Sequence, residues 1–168
     1  MPGGAIIDYA GNHGDLTPGA VNAPTDFYWG GTGTGVIISS RPAGNEQKIG
    51  RDWLDKVRVD DVGDGTSNTL MFGELHVRQG SDRSTPYNGP AYFGRYLTNF
   101  SRIGGPGVPL AHNPEDQRAS EFSFGSAHSG IVQFALTDGS VRQISTSIST
   151  VVLGSLANRH DGQTLGDF

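Results

Sequence analysis

Glycine is the residue that most constrains the fold of this chain, because 26 of the 168 residues are glycine. Glycine loses more backbone freedom on folding than any other residue, and it weakens the interior of helices and strands. Long helices are therefore disfavoured, and we expect many turns and short strands. A chain of 168 residues suits one hydrophobic core, so residues 1–168 are predicted to form a single domain.

Charge and composition argue against several classes of function. The net charge is -5 and only 17% of the residues are charged, so the chain lacks the basic field that nucleic-acid binding needs. It contains no cysteine, which removes disulfides, thiolate metal sites and cysteine nucleophiles. No run approaches the roughly 18 apolar residues of a membrane-spanning helix. We therefore expect a soluble molecule that does not bind nucleic acid.

The clearest strand pattern lies in the final third of the chain. Residues 131–136 and 141–148 are rich in β-branched and apolar residues, which predicts two strands. Asp138 and Gly139 lie between them, and an Asp-Gly pair favours a two-residue hairpin with a type I′ turn. We therefore predict an antiparallel hairpin here.

A short helix is predicted after this hairpin. Ile148, Val152 and Leu156 recur every four residues, and Ser147 or Ser149 is available as the N-cap. Elsewhere, strands follow one another without regular helices between them, which argues for an antiparallel sheet. The predicted class is therefore α+β: a mostly antiparallel β-sheet with long glycine-rich loops and a short C-terminal helix.

Two glycine-rich stretches nearer the N-terminus are interpreted as loops. Residues 5–9 favour a short strand, and the run 11–15 is interpreted as the turn that ends it. The run 30–35 resembles a phosphate-binding glycine loop, but a strand is predicted after it at 36–40. Phosphate-binding loops instead lead into a helix, whose N-terminus holds the phosphate. We therefore expect no nucleotide cofactor.

Two ordered blocks of residues carry a resemblance to a known family. The first is the run Phe124-Gly125-Ser126-Ala127-His128, which is followed after nine residues by Asp138-Gly139. The second is Asp64-Gly65-Thr66-Ser67-Asn68-Thr69, with Gly73-Glu74 shortly after it. Together they resemble the DUF1559 family of prepilin-type proteins with an H-X9-DG motif, and residues 8–12 also fit its pattern. The motif positions are His128, Asp138, Gly139, Asp64, Gly65, Ser67, Asn68 and Glu74.

This resemblance implies a fold, a location and a role. Members of the family resemble prepilins through a cleavable N-terminal hydrophobic helix, and we find no such helix in this chain. The chain would then be a pseudopilin-like head on the periplasmic or extracellular face, anchored in the inner membrane in its full-length form. A structural or assembly role in a type II secretion or type IV pilus-like system is implied. Its partners would be other pilin-like or secretion subunits, or exported cargo.

An acidic turn is a candidate calcium site. Asp60, Asp61, Asp64 and Asn68 place hard oxygen ligands within nine residues, and calcium prefers six to eight such oxygens. The spacing does not fit an EF-hand, and an Asx-type turn before a strand explains the same residues. Secretion pseudopilins similar to this family often hold calcium in a head-domain loop. Both interpretations remain open.

An enzyme is the alternative to an assembly module. Ser126, His128 and Asp138 suggest a catalytic relay, but in an extended strand Ser126 and His128 would point in parallel. A structural role for His128 near the hairpin is the competing interpretation. What remains is calcium-dependent hydrolysis of a small ester or lactone, with His128 or Glu74 as base and Asp138 near the ion.

Aromatic residues suggest a third function. They are Trp29, Trp53 and the set between Tyr87 and Phe100, and they suit either a buried core or a sugar-binding surface. The second alternative is therefore a carbohydrate-binding module, in which an exposed aromatic such as Tyr92 would contact the glycan.

Overall fold

The structure is a computed structural model. It describes residues 6–17, 33–38, 41–42, 53–54, 57–79, 89–90, 97–163, 165–166 and 168. Several sequence predictions fall outside these residues: Trp29, residues 30–32 of the glycine-rich run, the last two residues of the strand predicted at 36–40, and the aromatics Tyr87, Tyr92, Phe93 and Tyr96.

The described part of the chain is built on a five-stranded sheet. Its strands are β1 (Tyr9–Gly14), β4 (Leu70–Glu74), β5 (Ser101–Ile103), β6 (Ile131–Leu136) and β7 (Val141–Ser145), in the order β5-β1-β4-β6-β7. Neighbouring strands are antiparallel except β1 and β5, which are parallel. Two short strands, β2 (Arg41–Pro42) and β3 (Trp53–Leu54), form a separate ribbon. With the helix that follows β7, this confirms the α+β class.

The first strand lies where the sequence predicted a turn. Residues 11–15 were interpreted as the turn after a strand at 5–9, but β1 runs from Tyr9 to Gly14. Its glycines serve close packing: a Cβ on Gly11 would lie 2.5 Å from Cγ2 of Ile37. The segment 33–38 covers this end of the sheet as bends rather than as the predicted strand, and Ile37 N donates to Asn12 O at 3.0 Å.

The two faces of the sheet differ. On the inner face, the buried rings of Phe124 and Phe134 pack edge to face, with centroids 5.1 Å apart. Gly73 makes room for them, since a Cβ there would lie 2.3 Å from Phe134. Leu153 and Leu156 from the helix complete this core, and burying each contributes about 2 kcal/mol. On β6 buried and half-buried residues alternate, so its other face turns toward solvent.

Helix α1 (Thr150–Ala157) confirms the predicted C-terminal helix. Ser149 is its N-cap, because its Oγ accepts a hydrogen bond from Val151 N at 3.3 Å. At the other end, Asn12 Nδ2 donates to Ala157 O at 2.8 Å and so joins the helix to β1. Among the described residues, no helix has the length and apolar character that a membrane span requires.

The turn between β6 and β7 is a three-residue loop rather than the predicted two-residue type I′ turn. Gly139 N donates to Leu136 O at 3.0 Å, and Leu136 N donates to Ser140 O at 2.8 Å. Gly139 has a φ of 86°, which is the left-handed conformation that ends such loops. The hairpin prediction is therefore confirmed, while the turn type was wrong.

Candidate functional site

The predicted motif residues lie at the two ends of a pair of neighbouring strands. Strands β4 and β6 are antiparallel, so the end of one lies beside the start of the other. Glu74 ends β4 near the start of β6, where His128 precedes the strand. The acidic turn precedes β4 near the end of β6, where Asp138 follows. The nine-residue spacing between His128 and Asp138 therefore corresponds to the length of β6 and its flanking residues.

Glu74 and His128 meet at the first of these ends. His128 Nε2 lies 3.2 Å from Glu74 Oε1. The other carboxylate oxygen, Oε2, accepts a hydrogen bond from Gln133 N at 2.7 Å. The Glu74 side chain is 13% exposed and that of His128 is 56% exposed. The pair therefore combines a largely buried carboxylate with an accessible imidazole.

Ser126 shapes the backbone beside this pair. Its Oγ donates to Ile131 O at 2.7 Å and accepts from His128 N at 3.0 Å. The hydroxyl proton is thus used by a backbone carbonyl rather than by an imidazole. Asp138 lies at the opposite end of β6. Of the three residues of the enzyme alternative, the structure brings together His128 and Glu74 but not Asp138.

A cavity of about 520 Å³ opens beside the Glu74–His128 pair. Pockets of this size suit small ligands or a single side chain. Four aliphatic side chains contribute apolar lining, and five residues contribute polar groups. The apolar set is Ile6, Ile7, Leu75 and Val77, and the polar set is Asp8, Glu74, His76, Ser126 and His128.

His76 is a member of this site that the sequence reasoning missed. It is 3% exposed, and its Nε2 has no hydrogen-bond partner within the described part of the chain. Burial, with the Arg102 guanidinium nearby, lowers the pKa of His76 to about 4. The signal was available: residues two apart in an extended chain share a face, and His76 stands two positions after Glu74.

The second end of the strand pair is joined through backbone groups. Thr137 N and Oγ1 donate to Thr69 O at 2.9 and 3.0 Å. Asp138 N donates to Thr66 O at 3.0 Å. The Asp138 carboxylate accepts from the hydroxyl and the N–H of Ser140, and these bonds hold the pKa of Asp138 below its usual range. This carboxylate therefore stabilises the turn.

Residues of the acidic turn also bind backbone groups. The Asp64 carboxylate accepts from Asp161 N at 2.7 Å and from Gly162 N at 3.0 Å. Asp61 Oδ2 accepts from Arg58 N at 2.7 Å, at the start of the 3-10 turn Val59–Asp61. Asn68 Nδ2 donates to Asp64 O at 3.1 Å.

Two other motif residues lie in the same turn: Gly65 has a left-handed φ of 93°, and Ser67 is exposed. Over the ranges that the structure describes, no three His, Asp or Glu residues are grouped so as to hold a metal ion. Calcium binding by Asp60, Asp61, Asp64 and Asn68 stays a prediction.

Comparison with protein families finds one match. The model of the family described as "Protein of unknown function (DUF1559)" matches residues 6–150. The matched region includes both motif blocks and the residues that line the cavity. The search of curated proteins and the search of solved structures found no match.

Proposed function

The chain belongs to the DUF1559 family, and from this premise we propose that it is a structural and assembly module, the head of a pseudopilin-like protein. It acts on the periplasmic or extracellular side of the inner membrane, in a type II secretion or type IV pilus-like system. Its partners are other pilin-like or secretion subunits, or exported cargo. The resemblance to prepilin-type proteins supports the location and the type of system.

The observation that carries the proposal is that the motif residues form hydrogen bonds with the backbone of the chain itself. The carboxylates of Asp64, Glu74 and Asp138 all accept hydrogen bonds from backbone N–H groups. Two of the joined segments, the acidic turn and the C-terminal residues after α1, are 97 positions apart in sequence. Motif residues that bind the chain's own backbone maintain the shape of the domain, which suits a module whose function is to present a surface.

A candidate contact surface lies on the outer face of the sheet. Phe72, Ala135 and Val141 form a row across β4, β6 and β7, because each pairs with the next. Phe72 is 39% exposed and Val141 is 66% exposed. Exposed apolar side chains that share one face favour protein contact. We propose this row, the β4–β7 row, as the surface that meets a partner subunit or cargo.

Site-specific photocrosslinking tests this proposal. A photoreactive amino acid is placed at Phe72 or Val141 in the full-length protein, in the cells from which the protein comes. Val59 is the control position, since it is 68% exposed but lies on the 3-10 turn, away from the sheet. We expect crosslinks to pilin-like or secretion subunits, or to exported cargo, from the β4–β7 row only. Equal labelling from all three positions, or none, would contradict the proposal.

Bound calcium is part of the same proposal. Its support is the density of oxygen ligands in residues 60–68 and the exposure of Asp60 at the surface of the turn. A ligand bound only by the native state raises the thermal midpoint. We expect a higher midpoint in calcium than in EGTA, and loss of that difference in Asp60→Asn. Identical midpoints in calcium and EGTA would remove calcium from the proposal and leave the assembly role in place.

A hydrolase is a second candidate function, because Glu74 and His128 meet beside a cavity. A carboxylate that holds one imidazole nitrogen orients the other as a base. A panel of small esters and lactones tests this, with His128→Ala as the variant and exposed His160→Ala as its control. Hydrolysis lost in His128→Ala and kept in His160→Ala would support an enzyme at the Glu74–His128 pair. The acidic turn lies at the opposite end of β4 and β6, so calcium held there would act on the fold and not on this pair. Turnover unaffected by His128→Ala would exclude the hydrolase.

A further inference from the structure

The cavity beside Glu74 combines an apolar wall with negative charge. Ile6, Ile7 and Val77 contribute aliphatic side chains, while Asp8 and Glu74 contribute two carboxylates. A ligand that fits both features has a short aliphatic part and a positively charged end.

Glu74 has hydrogen-bonding capacity to spare. Its Oε2 accepts from Gln133 N, and its Oε1 faces His128 Nε2 at 3.2 Å. Each oxygen of an ionised carboxylate accepts up to two hydrogen bonds, so each keeps one acceptor position. The side chain is only 13% exposed, and a charge withdrawn from water is stabilised by an opposite charge beside it. The cavity that Glu74 lines has space for a positively charged group beside this carboxylate.

His76 supplies a second and independent acceptor. It lines the cavity, is 3% exposed, and its Nε2 has no hydrogen-bond partner among the described residues. Its pKa of about 4 keeps the ring neutral at pH 7, and in the tautomer that is protonated at Nδ1 the acceptor nitrogen of a neutral imidazole is Nε2. A primary ammonium has three N–H donors, enough for Glu74 and His76 together.

The nearest buried cation does not occupy this space. The Arg102 guanidinium donates to the backbone carbonyls of Thr98, Ser101 and His76. It does not line the cavity. Its charge still acts on His76, whose pKa it helps to lower, but among the residues that line the cavity the two acidic side chains are Asp8 and Glu74.

We propose that this cavity binds an aliphatic primary ammonium group, with the charged end at Glu74 and His76 and the alkyl part against Ile6, Ile7 and Val77. The ammonium belongs either to a lysine side chain of another protein or to a small free amine. The inference does not depend on the assembly role, because it rests on the cavity alone.

Binding of n-butylammonium chloride to the folded chain tests the proposal, with n-butanol and sodium butyrate as probes of equal length. Isothermal titration calorimetry should show that the ammonium binds and that the alcohol and the carboxylate bind more weakly. The affinity should also fall as salt is added, since Asp8 at the rim is exposed. Equal binding of n-butanol, or tighter binding of butyrate, would overturn the proposal.

Three variants locate the site. In Glu74→Gln the amide oxygen still accepts from Gln133 N but the charge is gone, so the affinity for n-butylammonium should fall about tenfold or more. Asp8→Asn, at an exposed position, should lower it about threefold. Glu115→Gln, exposed and outside the cavity, should leave it unchanged.

Circular dichroism shows whether each variant is folded. Full affinity in a folded Glu74→Gln variant would overturn the proposal. If Glu74→Gln does not fold, an unchanged affinity for n-butylammonium in Asp8→Asn would overturn the proposal.

A peptide pair distinguishes the two sources of the ammonium. One peptide has a blocked N-terminus and a single lysine, and its partner carries acetyl-lysine at the same position. Binding of the first peptide alone identifies a lysine side chain as the ligand. Binding of n-butylammonium without either peptide identifies a small amine. Equal binding of both peptides would contradict recognition of the charge.

Discussion

At the scale of single residues, buried polar side chains join segments that are far apart in sequence. Asn12 is fully buried, and its Nδ2 donates to Leu70 O and to Ala157 O, both at 2.8 Å. Its Oδ1 accepts from Gly14 N at 3.0 Å. One amide therefore connects β1, β4 and the end of α1.

The substitution Asn12→Leu tests this connection. Leucine has a similar size but leaves two carbonyls and one N–H buried without partners, so we expect the free energy of unfolding to fall by about 3 kcal/mol. Urea unfolding followed by circular dichroism measures the change. The control is Asn113→Ala, at an exposed position, where we expect a loss below about 1 kcal/mol. Equal losses in the two variants would contradict the role of Asn12.

Two buried histidines predict a pH dependence of stability. Burial lowers the pKa of both His13 and His76 from 6.5 to about 4. Between these values the unfolded chain binds protons that the folded chain does not, so stability is complete above pH 6.5 and is lost as the pH falls toward 4. For His13 alone the loss approaches roughly 3 kcal/mol.

Urea midpoints measured at several pH values between 7.5 and 4.5 should therefore fall steadily. A variant at the exposed His160, His160→Gln, should keep the same slope. A midpoint that does not change over this range would contradict the prediction.

At the scale of secondary-structure elements, the β6–β7 hairpin depends on one glycine conformation. Gly139 has a φ of 86°, and a Cβ there would meet nothing within 4 Å. Gly139→Ala is therefore expected to destabilise by about 1 kcal/mol through backbone strain alone. Gly63→Ala is the control, since no left-handed φ is found there and its Cβ would make an ordinary 3.5 Å contact. Thermal unfolding of both variants measures the difference, and an equal shift in both would contradict it.

At the scale of the whole molecule, the residues after α1 hold distant segments in place. Arg159 NH1 donates to Gly33 O at 2.7 Å and to Gly35 O at 2.8 Å. The Asp64 carboxylate accepts hydrogen bonds from the N–H groups of Asp161 and Gly162. The C-terminal segment thus contacts both the segment that covers β1 and the turn that precedes β4.

We predict that Arg159→Met destabilises the protein by about 2 kcal/mol, because two charge-assisted hydrogen bonds to partly buried carbonyls are lost. Urea unfolding gives the change, and limited proteolysis should show faster cleavage near residues 33–35. Arg142→Met is the control, since Arg142 is exposed on β7 and its contact with the Phe168 ring should contribute less than about 1 kcal/mol. Unchanged stability and cleavage in Arg159→Met would contradict this role.

Local patterns predicted the C-terminal third well. Strand β6 begins and ends at the predicted residues, β7 begins at the predicted residue, and α1 begins after a predicted N-cap. These elements depend on side-chain periodicity and capping, which act over a few residues. The prediction failed at β1, because its glycines indicate a turn locally. In the structure, these glycines leave room for the segment 33–38 to pack closely against β1.

The sequence by itself determined the α+β class, the hairpin and helix near the C-terminus, and membership of the family through its two motif blocks. Only the tertiary structure decided which motif residues meet. Glu74 contacts His128, although the two residues are 54 positions apart in sequence. Asp138 contacts neither of them, because the antiparallel pairing of β4 and β6 places it at the opposite end of the two strands. Strand pairing acts between segments distant in sequence, so no local pattern contains it. The cavity likewise depends on contacts between distant segments, since residues 6–8, 74–77 and 125–128 line it together.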